Sequence, residues 1–177
     1  MNTLYEAVYS NALDLTDVKV GDIGIAHTKG FFGLLIRIGT RSKWNHAFVV
    51  VLVPKNPTAQ TIRVIQATPR GVIASALDEV APGGYFAILP CPTGVSRRVV
   101  VAQAILLRRD KYAFVSILSI AFNFIPLPIR LNLYQSSTLI CSAVCAVSLH
   151  AGGWLYPWPD MYSVTPKQLA AALTTER

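Results

Sequence analysis

The chain has 177 residues, 53% of them apolar and 14% charged, with a net charge of +7. That balance excludes general disorder, which needs few apolar and many charged residues, and the length suits one domain, a lead-in over 1–17 and a core over about 18–170 within 1–177. The basic excess fits nucleic acid, anionic lipid or an acidic cell-wall polymer, but the chain lacks zinc-finger spacing, an aromatic RNA-binding signature and a basic recognition helix, which sets nucleic acid aside.

Taken in order, Val18 to Ala26 reads as a turn feeding a strand, and Phe31 to Ile38 as a short apolar helix ended by Gly39. Trp44 to Val53 is rich in β-branched and aromatic residues, the pattern of a buried strand. The cluster Pro54 to Thr58 turns the chain, and the alternating Thr61 to Thr68 returns as a second strand. Further strands are expected at 71–75 and 85–89. Ser96 offers a cap for a helix from Arg97 to about Arg109.

The stretch Tyr112 to Ile129 is about as long as the lower limit for a membrane span. Pro126 and Pro128 end any helix near Ile125, so 113–125 predicts a buried or interfacial helix too short to cross. Ser136, Ser137 and Thr138 offer caps for a helix through Leu149, closed by Gly152 and Gly153. Thr165 and Pro166 then start a last short helix. Strands come mainly first and helices second, so the expected class is α+β with a small antiparallel, barrel-like sheet packed against helices.

Three cysteines, Cys91, Cys141 and Cys145, make no even disulfide framework and read as thiols. The opening MNTLYEAVYSNALDLTDV carries acids and no basic-then-apolar pattern, so it does not read as a signal peptide. The expected location is the cytoplasm or a larger assembly such as a virion, with peripheral membrane contact open. No HxxxH or CxxC spacing occurs, so neither a metal nor another cofactor is expected.

His46 and Gln66 lie on two strands joined by one turn, and face each other if the hairpin turns at residue 56. The Gln66 carbonyl can accept one ring N–H and free the other nitrogen as a base. A core histidine bonded to an amide fits the same pair. Cys141 falls in the first turn of its helix, where free N–H groups and the helix dipole favour a thiolate. A buried structural thiol fits that position equally. Cys145 lies a turn deeper, Cys91 is fenced by Pro90 and Pro92, and His27, His150, Asp22 and Tyr112 read as structural or exposed.

A series of segments then tips the balance: Val20-Gly21-Asp22-Ile23, Gly33 to Ser42, Trp44 to Val50, Val64-Ile65-Gln66-Ala67 followed by Gly71-Val72, Lys111 to Phe114, and Leu139-Ile140-Cys141-Ser142. In this order, over about 18–170, they resemble the permuted branch of the NlpC-type papain-like cysteine peptidases, which includes lecithin–retinol acyltransferase-like enzymes. The resemblance implies a circularly permuted papain-like fold and a thiol hydrolase working through a thioester. Cys141 would be its nucleophile, His46 its base and Gln66 the orienting residue, where many relatives carry an acid. It also implies a peptide or acyl substrate, with peptidoglycan peptides in a bacterial or phage setting favoured over lipid amides and esters. A non-catalytic binding or structural protein of a larger assembly is the rival from another class.

Overall fold

The computed structural model describes residues 15–68, 71–82, 85–109, 140–155 and 160–175. The expected helix over 113–125, Tyr112 and the candidate caps Ser136, Ser137 and Thr138 lie outside the described residues. β-Branched runs form strands where their side chains pack on both faces of a pleated surface. Here they give β1 (Ile23–His27), β2 (His46–Leu52), β3 (Arg63–Thr68), β4 (Gly71–Ala76) and β5 (Tyr85–Leu89). All pairings are antiparallel, and the spatial order is β4-β3-β2-β1-β5.

Four helices complete the described fold: α1 (Phe31–Thr40), α2 (Arg97–Leu106), α3 (Cys141–Ala151) and α4 (Pro166–Thr175). The result is a mixed α/β chain built on a five-stranded antiparallel sheet. Among the described residues, no helix is long and apolar enough to cross a membrane.

Both faces of the sheet are buried, which explains why its strands are apolar without strict alternation. One face carries Ile25, Ala47, Val49 and Ile65 against Val100 of α2, Val144 of α3 and Leu169 of α4. The other carries Phe48, Val50, Val64 and Phe86 under Leu77 and Val80. Phe48 lies across β1 at Gly24, where a Cβ would fall inside its ring. It meets Phe86 edge-on at 6.1 Å between centroids. Helix α3 is buried nearly all round, as expected of a helix at the centre of a domain.

Two anchors fix the frame around the sheet. The Asp22 carboxylate accepts hydrogen bonds from the backbone N–H of Lys19 at 2.8 Å and of Cys91 at 3.0 Å. It also pairs with Arg97, so it joins the entry to β1 with the exit from β5 and the start of α2. At the far end of α3, the Gly153 N–H bonds the His150 carbonyl and the Trp154 N–H that of Leu149. Gly153 takes φ 101°, the left-handed conformation that this helix ending requires. Gly152 serves differently: a Cβ there would lie 2.7 Å from Val100, so its absence brings α3 close to α2.

Three local expectations change. Helix α1 runs through Gly39 to Thr40, and Arg41 supplies the left-handed turn at φ 47°, held by its N–H and that of Ser42 on the carbonyls of Ile38 and Arg37. Ser96 stands at the N-cap of α2 but its side chain makes no capping bond; its carbonyl starts the helix while its N–H reaches Gly152. Helix α3 begins at Cys141 with Ile140 in the cap position and no side-chain capping bond, later than the start expected near Ser137. The start of α4 is as expected, with Thr165 and Gln168 bonding each other's backbone N–H.

Candidate active site

The hairpin of β2 and β3 sets Gln66 against Phe48, which centres the turn on Pro57, one residue later than expected. His46 and Gln66 are therefore diagonal neighbours on one face, still within reach across the strands. His46 Nε2 lies 2.7 Å from Gln66 Oε1. On the other side of the amide, Gln66 Nε2 donates to Ser75 Oγ of β4 at 2.6 Å. With the Gln66 oxygen turned to the ring, Nε2 carries the proton. Nδ1 remains for another partner.

That partner is Cys141. Its thiol stands within hydrogen-bond reach of the His46 ring, and the backbone N–H groups of Ala47 and Ser142 point at its sulfur. Burial alone would push the thiol up and the imidazole down. The attraction between them and their shared hydrogen bond override this, together with the two N–H groups on sulfur and the Gln66 bond on the ring. Cys141 is held below the usual thiol range and His46 above the usual imidazole range. Both shifts act in the direction that favours a thiolate–imidazolium pair.

The other two thiols differ. Burial, reinforced by the neighbouring Cys141, pushes Cys145 well up, one turn deeper in α3. Burial also raises Cys91, outweighing the nearby Arg97. All three cysteines are free.

Cys141 opens onto a small cleft of about 30 Å³. It is lined by Ile36 and Thr40 of α1, by Asn45, by Ile140, Cys141 and Ser142 at the start of α3, and by Thr165 and Pro166 at the start of α4. The Ser142 hydroxyl donates to the Val164 carbonyl at 2.5 Å, tying the start of α3 to the segment that leads into α4. No protein-family model matches the chain, and no curated protein does.

The remaining singled-out residues stay apart from this centre. His27 stacks on Tyr85 at 4.7 Å, with Nδ1 on the Lys43 carbonyl at 3.0 Å. His150 sits at the opposite end of α3, against the Trp154 carbonyl. Asp22 belongs to the Arg97 anchor. No group of three or more His, Cys, Asp or Glu side chains is placed to hold a metal ion among the described residues.

Ser75, the Ala47 N–H and the cleft walls were not singled out from sequence. Ser75 had one available signal: a hydroxyl in an otherwise apolar strand, GVIASA, next to the strand that carries Gln66.

Proposed function

We propose that the chain is a thiol hydrolase or acyl-transfer enzyme of circularly permuted papain-like build. The observation that carries this is the chain of contacts from Cys141 through His46 and Gln66 to Ser75. Its order along the sequence, histidine, then amide, then cysteine, and the packing of the cysteine helix on an antiparallel sheet support the permuted relationship.

In the proposed reaction the Cys141 thiolate attacks a carbonyl carbon and forms a carbon–sulfur bond. His46 gives its proton to the departing amine or alcohol as the bond to that group breaks. Water then attacks the thioester, passing a proton to His46, and the acid leaves as the thiol is regenerated. The N–H of Cys141, in the first turn of α3, is a candidate donor to the oxyanion. Peptide or acyl amides are the proposed substrates. The net charge of +7 supports anionic carriers of such groups, among them cell-wall peptides in a bacterial or phage setting.

One observation favours a second proposal, a non-catalytic protein of a larger assembly that keeps the same fold. The partner of His46 is an uncharged amide, which stabilises an imidazolium less than a carboxylate does. Limiting iodoacetamide near neutral pH, followed by mass mapping, separates the two. Cys141 is expected to label first, His46→Ala to slow that labelling, and Cys141→Ala to abolish turnover. Equal labelling of all three cysteines, unaffected by His46→Ala, would leave the non-catalytic proposal.

A further inference from the structure

Asn45, the residue before His46, is only 2% exposed, and both ends of its amide are engaged by one neighbour. Its Oδ1 accepts from the Thr28 N–H at 2.8 Å and the Thr28 hydroxyl at 3.2 Å, and its Nδ2 donates to the Thr28 carbonyl at 2.9 Å. The same carbonyl accepts from Arg37 Nη1 of α1 at 2.7 Å. A single backbone oxygen thus ties α1 to the strand entry that carries the histidine.

Gly33 is where α1 rests on this amide. A Cβ there would overlap Asn45 Nδ2 and lie 2.8 Å from the Thr28 carbonyl. Residues 33, 36, 37 and 40 share one helix face at the spacing of neighbouring turns. The face that touches Asn45 through Gly33 is therefore the face that turns Ile36 and Thr40 towards the cleft over Cys141. Any displacement of α1 from Asn45 moves that wall.

The cleft itself is narrow. Among the described residues, none that lines it besides Cys141 has an ionisable side chain. A single water needs roughly 10–15 Å³ by the same kind of measure, so a cleft of about 30 Å³ has space for a few atoms, far less than an extended fatty chain. Beyond the Cys141–His46 pair, a carboxylate or ammonium entering it would be desolvated without a charged partner.

We propose that α1 is the selectivity wall of the cleft and that Asn45 is the positioning residue that sets its distance from Cys141, limiting the acyl group to short, uncharged ones of acetyl to alanyl size. This rests on the acyl-transfer proposal above. In each turnover of the test, the Cys141 sulfur bonds to the carbonyl carbon of a p-nitrophenyl ester and p-nitrophenolate leaves.

The experiment compares p-nitrophenyl acetate with p-nitrophenyl hexanoate on the full chain, following acyl-Cys141 by mass spectrometry. The native protein is expected to favour acetyl by about tenfold or more, the loss that about 1.4 kcal/mol of misfit produces. Gly33→Ala, which displaces α1 while leaving every lining side chain of the cleft in place, is expected to shrink that ratio; Asn45→Ala is expected to shrink it as well, by freeing α1 and by removing a side chain that itself lines the cleft. Ile36→Ala, which widens the cleft from a half-buried position without touching the Asn45 bonds, is expected to shrink it too. An α1 with no part in selectivity would leave the ratio of Gly33→Ala at the native value.

A native ratio near one overturns the proposal, as does a ratio that Asn45→Ala and Ile36→Ala both leave unchanged. If iodoacetamide labels Cys141 no faster than Cys91 and neither ester acylates it, the acyl-transfer proposal fails, and this one with it. That outcome is distinct from a reactive Cys141 that lacks chain-length preference.

Discussion

Gln66 is the residue whose replacement tests the site most sharply, because it holds the histidine without touching the thiol. Its amide, 5% exposed, spans His46 and Ser75 with bonds of 2.7 and 2.6 Å. Gln66→Ala removes the acceptor that stabilises the ring when it becomes imidazolium. A hydrogen bond to a charged group contributes about 1.5–3 kcal/mol, which corresponds to roughly 10- to 150-fold in rate. Removing the base itself, in His46→Ala, costs about 10²–10⁴-fold. The expected order of loss is therefore Gln66→Ala, then His46→Ala, then Cys141→Ala. Gln66→Glu keeps an acceptor for the same N–H and can accept from the Ser75 hydroxyl, so it is expected to retain turnover while losing stability from a buried carboxylate. The assay is the rate of acyl-Cys141 formation from p-nitrophenyl acetate, with circular dichroism to check the fold. A folded Gln66→Ala that acylates at the native rate would refute the role assigned to this amide.

Two further outcomes follow from the same structure. The Cys141 pKa is lowered and the His46 pKa raised, each by the charge of the other and by their shared hydrogen bond. The alkylation rate of Cys141 should therefore rise at lower pH than that of Cys91 or Cys145, both of which are raised, and His46→Ala should move the Cys141 inflection upwards in a rate–pH profile for each thiol. Asp22→Ala leaves the buried N–H of Cys91 without its partner and frees the half-exposed Arg97, so urea unfolding should show a loss of about 2–3 kcal/mol, and a loss near zero would contradict the anchor.

The strands were legible in the sequence because runs such as HAFVVVL and RVIQAT carry β-branched residues between strong turn signals. The pairing of His46 with Gln66 followed from the position of that turn, and the one-residue shift to Pro57 leaves both side chains on one face. What stayed hidden depended on contacts far apart in the chain. Gly39 is a local signal for ending α1, yet Arg41 takes the left-handed turn because two carbonyls of α1 are satisfied there. Asn45 reads as an ordinary polar residue until β1 brings Thr28 to it and α1 lays Gly33 across it. Ser75 becomes part of the site only through the β3–β4 register, which no local pattern specifies.

The start of α3 shows how closely the chemistry depends on such a detail. Cys91, Cys141 and Cys145 all lie in the same apolar core, and burial acts on each of them in the direction of the neutral thiol. What separates Cys141 is the set of groups aimed at its sulfur: the His46 ring and two backbone N–H groups. One of those, the N–H of Ser142, is available because Ile140 occupies the cap position and has no side-chain acceptor. A serine or aspartate at that point would take the N–H of the second or third helical residue for itself, as capping residues do. The feature that looks like a defect in a helix start, an apolar residue in extended conformation at φ −87°, is thus what leaves a donor for the thiolate. A helix whose cap side chain takes that N–H has one donor fewer to offer a cysteine in its first turn.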